Sequence, residues 1–289
     1  MSLALPIAMY VVLATRWAMF SGPTHYISLA TAAFYGIGAY VVASGIEHLP
    51  YWSLVPLAGL AGALLAALVG MATLRLSGVY FVIFTLGLAE FIRQLVTWVQ
   101  NNFTGSRGMY VLTELTERHI YWELLALAAL AYLIGWLIER SRLGFAMRII
   151  GNDELVAAHV GIHSPASKVI LFVVSGIFAA VVGAVMAPRF TYIEPSIVFS
   201  PELSFQVVIM ALLGGVHRLW GPLVGVIPFT LLWELIATNF PTQTVLLLGI
   251  AFLVIVYFIP NGFVGLLQSL LQRARAAAAA TRPGSDLDA

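Results

Sequence analysis

The chain has 289 residues, of which 61% are hydrophobic and 9% charged, and its net charge is +1. A soluble domain carries about 25% charged residues, so this much apolar surface cannot be hidden inside a fold of this size, and the bilayer must act as its solvent. The small net charge gives no reason to expect a nucleic-acid partner, and the lack of cysteine excludes disulfides and thiolate metal sites.

A span needs roughly 20 apolar residues. Hydrophobic runs predict spans near 3–20, 27–46, 52–74, 79–98, 120–138, 168–188, 204–216, 219–238 and 243–260, nine within a range of 8–10. The first starts at Leu3 with no basic leader or small-residue cleavage site before it, so it reads as a retained span. The run 27–46 is rich in small residues, the composition of a broken helix, and 204–216 is short enough to be re-entrant or strongly tilted. The expected fold is therefore an all-α polytopic membrane helical bundle. Residues 1–268 form the transmembrane domain, with a cytoplasmic loop at 140–166. Residues 269–289, alanine-rich and then polar, read as a disordered tail.

Orientation follows from the positive-inside rule. With the 139–167 loop in the cytoplasm, that side receives Arg75, Arg140, Arg142, Arg148, Lys168, Arg218, Arg273, Arg275 and Arg282. The opposite side receives Arg107, Arg118 and Arg189. This bias places the C-terminus inside and, with nine spans, the N-terminus outside.

Ionisable groups at bilayer depth are costly and are functional candidates. Arg16, Glu123 and Glu234 lie near expected span ends, from which they can snorkel to the interface. Glu90 and Arg93 sit deeper, three residues apart on one helical face. They read first as an internal pair holding the bundle together and second as a polar patch lining a pathway. Small residues recur at Gly36 and Gly38, Gly59 to Ala63, Gly176 to Gly183, Gly214–Gly215, and Gly221 to Gly225. Such residues let helices approach closely in lipid. Gly36 and Gly38 are also candidates for a broken helix beside a pathway.

The six histidines fall in loops or near span ends, and no chain of acids or histidines crosses successive spans. No HExxH, GxSxG or P-loop is present. The sequence thus offers no hydrolase or ATPase machinery and no cofactor site.

The stretch RSRLGFAMRIIGNDELVAAHVGI, residues 140–162, is the polar exception. Leu143, Ala146, Met147 and Ile150 recur at helical spacing and form one face. Gly151-Asn152 should break that helix, with Asn152 as N-cap of a second one and Asp153 and Glu154 in its first turn. Gly161 suits its C-terminal stop. Two short amphipathic helices too polar to span must lie on the membrane surface. They serve either as a lipid-resting element or as a docking surface for a partner.

Taken with other segments, these residues resemble a permease subunit of the branched-chain amino acid (LIV-type) ABC importers. Glu154-Leu-Val-Ala157-Ala158-His-Val-Gly161 is similar to the E-x-x-A-A-x-x-G pattern of the ABC-importer coupling loop. The segments Ser28–Ala43 (SLATAAFYGIGAYVVA), Leu74–Arg93, Ser141–Ile162, Ala211–Gly225 (ALLGGVHRLWGPLVG) and Ile259–Leu267 (IPNGFVGLL) resemble the family's marks in the right order. Departures occur early: the family usually carries Gly-Gln before Ser-Leu and Gly-His before Ala-Ala-Phe, where this chain reads His25-Tyr26 and Ala30-Thr31. If those positions shape passage, the substrate differs from the usual aliphatic amino acids. The family also often has another hydrophobic segment upstream.

The resemblance implies a non-enzymatic permease, in the bacterial inner membrane, working by alternating access. Its implied partners are a second permease, two cytoplasmic ABC ATPases and a periplasmic or lipid-anchored solute-binding protein. Arg142, Gly144, Arg148, Gly151, Asp153, Glu154, Ala157, Ala158 and Gly161 would form the ATPase-coupling set. Sister permeases for urea, short amides or nucleosides share this signature, and a stand-alone channel or secondary carrier would use the same apolar bundle without needing a coupling loop.

Overall fold

The computed structural model describes residues 3–73, 78–113, 115–216 and 218–243, with isolated positions as far as Leu253. Most of the expected span 243–260, together with Arg75, His217, the 259–267 segment and the 269–289 tail, lies outside the described residues.

Among the described residues, eleven α-helices follow in chain order: α1 (Ala4–Thr24), α2 (Thr31–Gly45), α3 (Tyr51–Thr73), α4 (Val79–Val99, continued by a π turn over Gln100–Thr104), α5 (Glu117–Arg140), α6 (Arg142–Asn152), α7 (Glu154–His159), α8 (Ser164–Met186), α9 (Pro195–Val198), α10 (Pro201–Gly214) and α11 (Gly221–Asn239). Two short strands, β1 (Met109–Tyr110) and β2 (Tyr192–Ile193), pair antiparallel with Met109 opposite Ile193. They close one end of the bundle, while α6 and α7 lie at the other.

Among the described residues, seven helical segments are long and apolar enough to cross a bilayer: 4–24, 51–73, 79–103, 117–140, 164–189, 195–214 and 221–239. The expected count of nine is not reproduced, for two reasons. Most of the run 243–260 is outside the described residues. The run 27–46 is helical only from Thr31, and its 15 residues reach about 22 Å at 1.5 Å per residue, short of a hydrocarbon core of about 30 Å. Residues 25–30 complete that crossing as non-helical chain, which lipid tolerates only when protein satisfies its polar groups. Leu29 N donates to Thr85 Oγ1 (3.0 Å), and Trp17 Nε1 donates to the Ser28 carbonyl (2.8 Å). The short run 204–216 is resolved in the same way. It is α10, preceded by the single turn of α9, and together they cross.

The chain reverses its own plan. In the first half, α1 runs from the strand end to the α6 end, residues 25–30 climb back, α2 starts mid-bundle and runs to the strand end, and α3 returns. In the second half, α8 runs from the α6 end to the strand end, residues 187–200 descend, α10 starts mid-bundle and runs to the α6 end, and α11 returns. The two half-helices therefore start beside each other and point apart. Ser204 Oγ of α10 accepts from Ala32 N of α2 (2.9 Å), so α10 supplies a partner to an amide that a helix N-terminus leaves without one.

α1, α2, α8 and α10 form the buried centre, while α3, α4, α5 and α11 bury one stripe each. Small residues set these distances. A Cβ at Gly38 would collide with the Ala180 carbonyl, one at Gly183 with the Tyr35 carbonyl, and one at Gly36 with the Phe199 ring. Gly62 and Gly176 bring α3 and α8 together in the same manner. Close packing thus accounts for Gly36 and Gly38.

Arg16 corrects an expectation. It does not snorkel to an interface but is 3% exposed in the middle of the bundle, where it donates to Ser175 Oγ (3.3 Å) and Thr31 Oγ1 (2.5 Å). Helix α1 continues four residues beyond the expected end at residue 20, which moves Arg16 inward by more than a turn and ties α1 to the starting turn of α2.

Candidate functional site

The polar stretch after α5 folds into a helix–turn–helix lying across one end of the bundle. Ser141 caps α6, its Oγ accepting from Gly144 N (3.4 Å). The predicted apolar face is turned to the bundle, with Met147 and Ile150 buried. The expected break falls one residue later than the sequence suggests, because α6 continues through Asn152 and Asp153, not Asn152, caps α7. Its Oδ1 accepts from Leu155 N (2.8 Å) and Val156 N (3.3 Å). A full negative charge at a helix N-terminus outcompetes a neutral amide for that role. Gly161, at φ +82°, ends α7: Ile162 N donates to Ala157 O (3.0 Å), a left-handed closure that glycine adopts without strain.

Four connections fasten this element. At Gly144 the α6 backbone lies so close to Ile138 and Glu139 of α5 that a Cβ would clash with the Ile138 carbonyl. At Gly151 it meets the Pro23 carbonyl at the end of α1, and His25 Nδ1 donates to the Gly151 carbonyl (2.9 Å). Arg148 donates to the Glu139 carbonyl (2.8 Å), satisfying a free carbonyl in the last turn of α5. Lys168 of α8 donates to both Glu154 carboxylate oxygens (2.8 Å each) and to Tyr26 Oη (2.9 Å), and its ammonium sits 4.4 Å from the Tyr26 ring centroid.

Lys168 is the residue that sequence reasoning passed over, counted there only as one of the cytoplasmic-side charges. It is 1% exposed and is the single lysine of the chain. That uniqueness, at the start of an otherwise apolar span, was the available signal.

The expected coupling set therefore divides. Gly144, Arg148, Gly151, Asp153, Glu154, Ala157 and Gly161 shape the element or hold it on α1, α5 and α8. Arg142 and Ala158 point outward. Beside them stand apolar side chains absent from the expected set, namely Phe145, Leu155, Val156 and Val160, from 51% exposed at Val156 to 72% at Leu155. Exposed apolar side chains gathered on one short element are candidates for an interaction site. Next to it a cavity of about 630 Å³ opens between the ends of α1 and α5, α6 and the 216–220 connection, with His25, Glu139, Arg148 and Arg218 among its walls.

Glu90 and Arg93 are joined as expected, Arg93 Nε donating to Glu90 Oε2 (2.8 Å) and Arg93 Nη2 to Glu90 Oε1. The pair does not hold the bundle interior, however. Both side chains lie on the outward face of α4, Arg93 31% and Glu90 41% exposed, and Gln94 joins them. Glu123 lies in the second turn of α5, near the span end, where it accepts from Tyr51 Oη (2.6 Å). Glu234 lines a second cavity of about 270 Å³ at the strand end, between α1, α2, α8, α10 and α11. No group of three potential metal ligands exists among the described residues.

The profile of a family described as the permease component of branched-chain amino acid transport systems matches residues 1–258. The chain is similar to a high-affinity branched-chain amino acid transport system permease protein LivM from Salmonella typhimurium, with 26% identity over 88% of this chain and 67% of that one. It resembles the Escherichia coli K12 LivM protein at 25% identity, over 93% of this chain and 71% of that one. The permease protein LivH of Salmonella typhimurium is 23% identical over 89% of this chain and 91% of its own length. No solved structure matches the chain.

Proposed function

The chain belongs to the family of branched-chain amino acid transport permeases, and on that premise we propose that it imports branched-chain or other small amino acids by ATP-driven alternating access. It is a multi-pass membrane protein of an ABC transport family rather than an enzyme. In the proposed system, hydrolysis belongs to two cytoplasmic ATPase subunits that dock on α6 and α7.

The observation that carries this reading is the combination of a fastened element with an open apolar face. Phe145, Leu155, Val156 and Val160 offer a partner something to grip. The contacts through Gly151, Arg148 and Glu154 pass any displacement to α1, α5 and α8. Helix α8 packs against the half-helix α2 and helix α1 against the opposed half-helix α10, so a push at the surface reaches the middle of the bundle. Work is transmitted only if the ATPases bind the two conformations with different affinity.

The remaining assignments follow from charge and exposure. The Glu90–Arg93–Gln94 cluster sits at mid-helix on an outward face, where hydrocarbon is a poor solvent for it. A second permease covering α4 accounts for that exposure, and the relatives include permeases of two kinds, LivM and LivH, which supports a heterodimer. The positive-inside bias puts the α6 end and the C-terminus in the cytoplasm, leaving the strand end for a solute-binding protein in the periplasm.

Pull-down from the native membrane tests this. Leu155→Glu changes a side chain that is 72% exposed, so the protein should fold and keep its permease partner while losing the ATPase and ATP-driven uptake. Unchanged ATPase recovery and unchanged uptake would overturn the docking assignment. Transport by the purified chain alone without ATP would replace the importer with a carrier.

A further inference from the structure

The second cavity has a chemistry the fold does not need for itself. It holds a cation, Arg189, and an anion, Glu234, together with the apolar walls of Met9, Met186 and Trp233. It also holds Thr230, which is 3% exposed and whose hydroxyl finds no hydrogen-bond partner. A helical threonine ordinarily returns its hydroxyl to the preceding turn, so a buried hydroxyl left open beside a cavity marks a position where a ligand group fits. Arg189 is only loosely engaged, its Nε 3.8 Å from the half-exposed Glu117.

We propose that this cavity is the outward-facing binding site for a zwitterionic amino acid with an apolar side chain, Arg189 taking the carboxylate, Glu234 the ammonium and Thr230 completing the polar shell.

Alternative occupants fit less well. A lipid tail or a bare void would match the apolar walls but leave Arg189, Glu234 and Thr230 without purpose. A simple anion would meet repulsion from Glu234, and a simple cation from Arg189. A zwitterion satisfies both charges, and an aliphatic side chain covers Met9, Met186 and Trp233. The cavity is about 270 Å³, just below the roughly 300–1,000 Å³ range of drug-sized ligand sites, so it selects small solutes. Its position supports entry from outside: α1 contributes its first residues, α8 its last turn and α11 its second half. It also reaches Leu203 and Met210 of α10, the half-helix that leads to the other end.

This inference rests on the importer reading, and two assays separate them. ATP-driven uptake by the complete complex in proteoliposomes, with its binding protein, tests the importer. Equilibrium binding of radiolabelled L-leucine to the membrane complex in nanodiscs, without binding protein or ATP, tests the cavity. Arg189→Gln should weaken leucine binding at least tenfold and abolish competition by 4-methylpentanoate, which has only the carboxylate. Glu234→Gln should weaken leucine at least tenfold and abolish competition by isoamylamine, which has only the ammonium. Thr230→Val, which keeps shape and loses the hydroxyl, should weaken leucine severalfold, and Glu117→Gln, which frees Arg189, should not weaken it. Uptake by the wild-type complex without measurable leucine binding, or binding unaffected by Arg189→Gln, Glu234→Gln and Thr230→Val, would overturn the cavity assignment and leave the importer standing. Absence of ATP-driven uptake by the wild-type complex would overturn both.

Discussion

Glu154→Ala removes the carboxylate that holds Lys168, and the structure sets the size of the effect. Lys168 is 1% exposed, while the Glu154 side chain is 50% exposed. A fully buried pair broken on one side costs about 3–5 kcal/mol, and an exposed pair about 0–1 kcal/mol. The half-exposed carboxylate and the surviving Tyr26 contacts place this case between them, at about 2 kcal/mol, or roughly thirty-fold in an equilibrium constant. The cost falls on the docking of α7 against α8, so it should appear as local opening. Hydrogen exchange in nanodiscs should show α7 amides exchanging roughly thirty-fold faster while α1 and α8 stay protected. Lys168→Met alone should do less, because Glu154 can turn to water. The double variant should fall close to Lys168→Met alone, since an apolar side chain in that buried position needs no partner. Additive effects, with a coupling below about 0.5 kcal/mol, would refute the ion pair as the fastening of α7. A double variant that regains ordered α7 but not ATPase binding would show that Glu154 also touches the partner.

Other outcomes follow from single contacts. Gly38→Leu places a side chain against the Ala180 backbone, which cannot yield as a side chain can. It should cost about 1–3 kcal/mol or more and reduce monodisperse protein in size-exclusion chromatography, whereas Gly87→Ala, with no atom within 4 Å, should be tolerated. Arg16→Ala should lower the thermal midpoint in detergent, because it leaves a cavity worth on the order of 2–5 kcal/mol and strips Thr31 and Ser175 of their donor; Arg16→Met, which refills the volume, should recover much of the loss. Asp153→Ala removes the cap on Leu155 N and Val156 N and should cost about 1 kcal/mol, read as roughly five-fold faster exchange at those two amides.

The sequence by itself determined the membrane class, the place of most spans and the two-helix element at 140–162, because each depends on local composition. The apolar face of α6 was legible because α6 borders water, where a buried and an exposed side chain differ in kind. Inside the bilayer that contrast vanishes. A leucine facing lipid and a leucine facing a neighbouring helix are equally apolar, so hydropathy in α1, α3, α10 and α11 has almost no sidedness. For that reason only the tertiary structure decided that Arg16 is central rather than interfacial and that Glu90 and Arg93 face outward. It likewise decided that 27–46 begins as non-helical chain, with Leu29 N paired to Thr85 and Ala32 N, in the first turn of α2, paired to Ser204 far away in sequence. The opposed half-helices, the fastening of α7 by Lys168, and the meeting of Arg189, Thr230 and Glu234 at one cavity all join residues remote along the chain. Their geometry is fixed by glycine-sized gaps and long-range hydrogen bonds that no local pattern encodes.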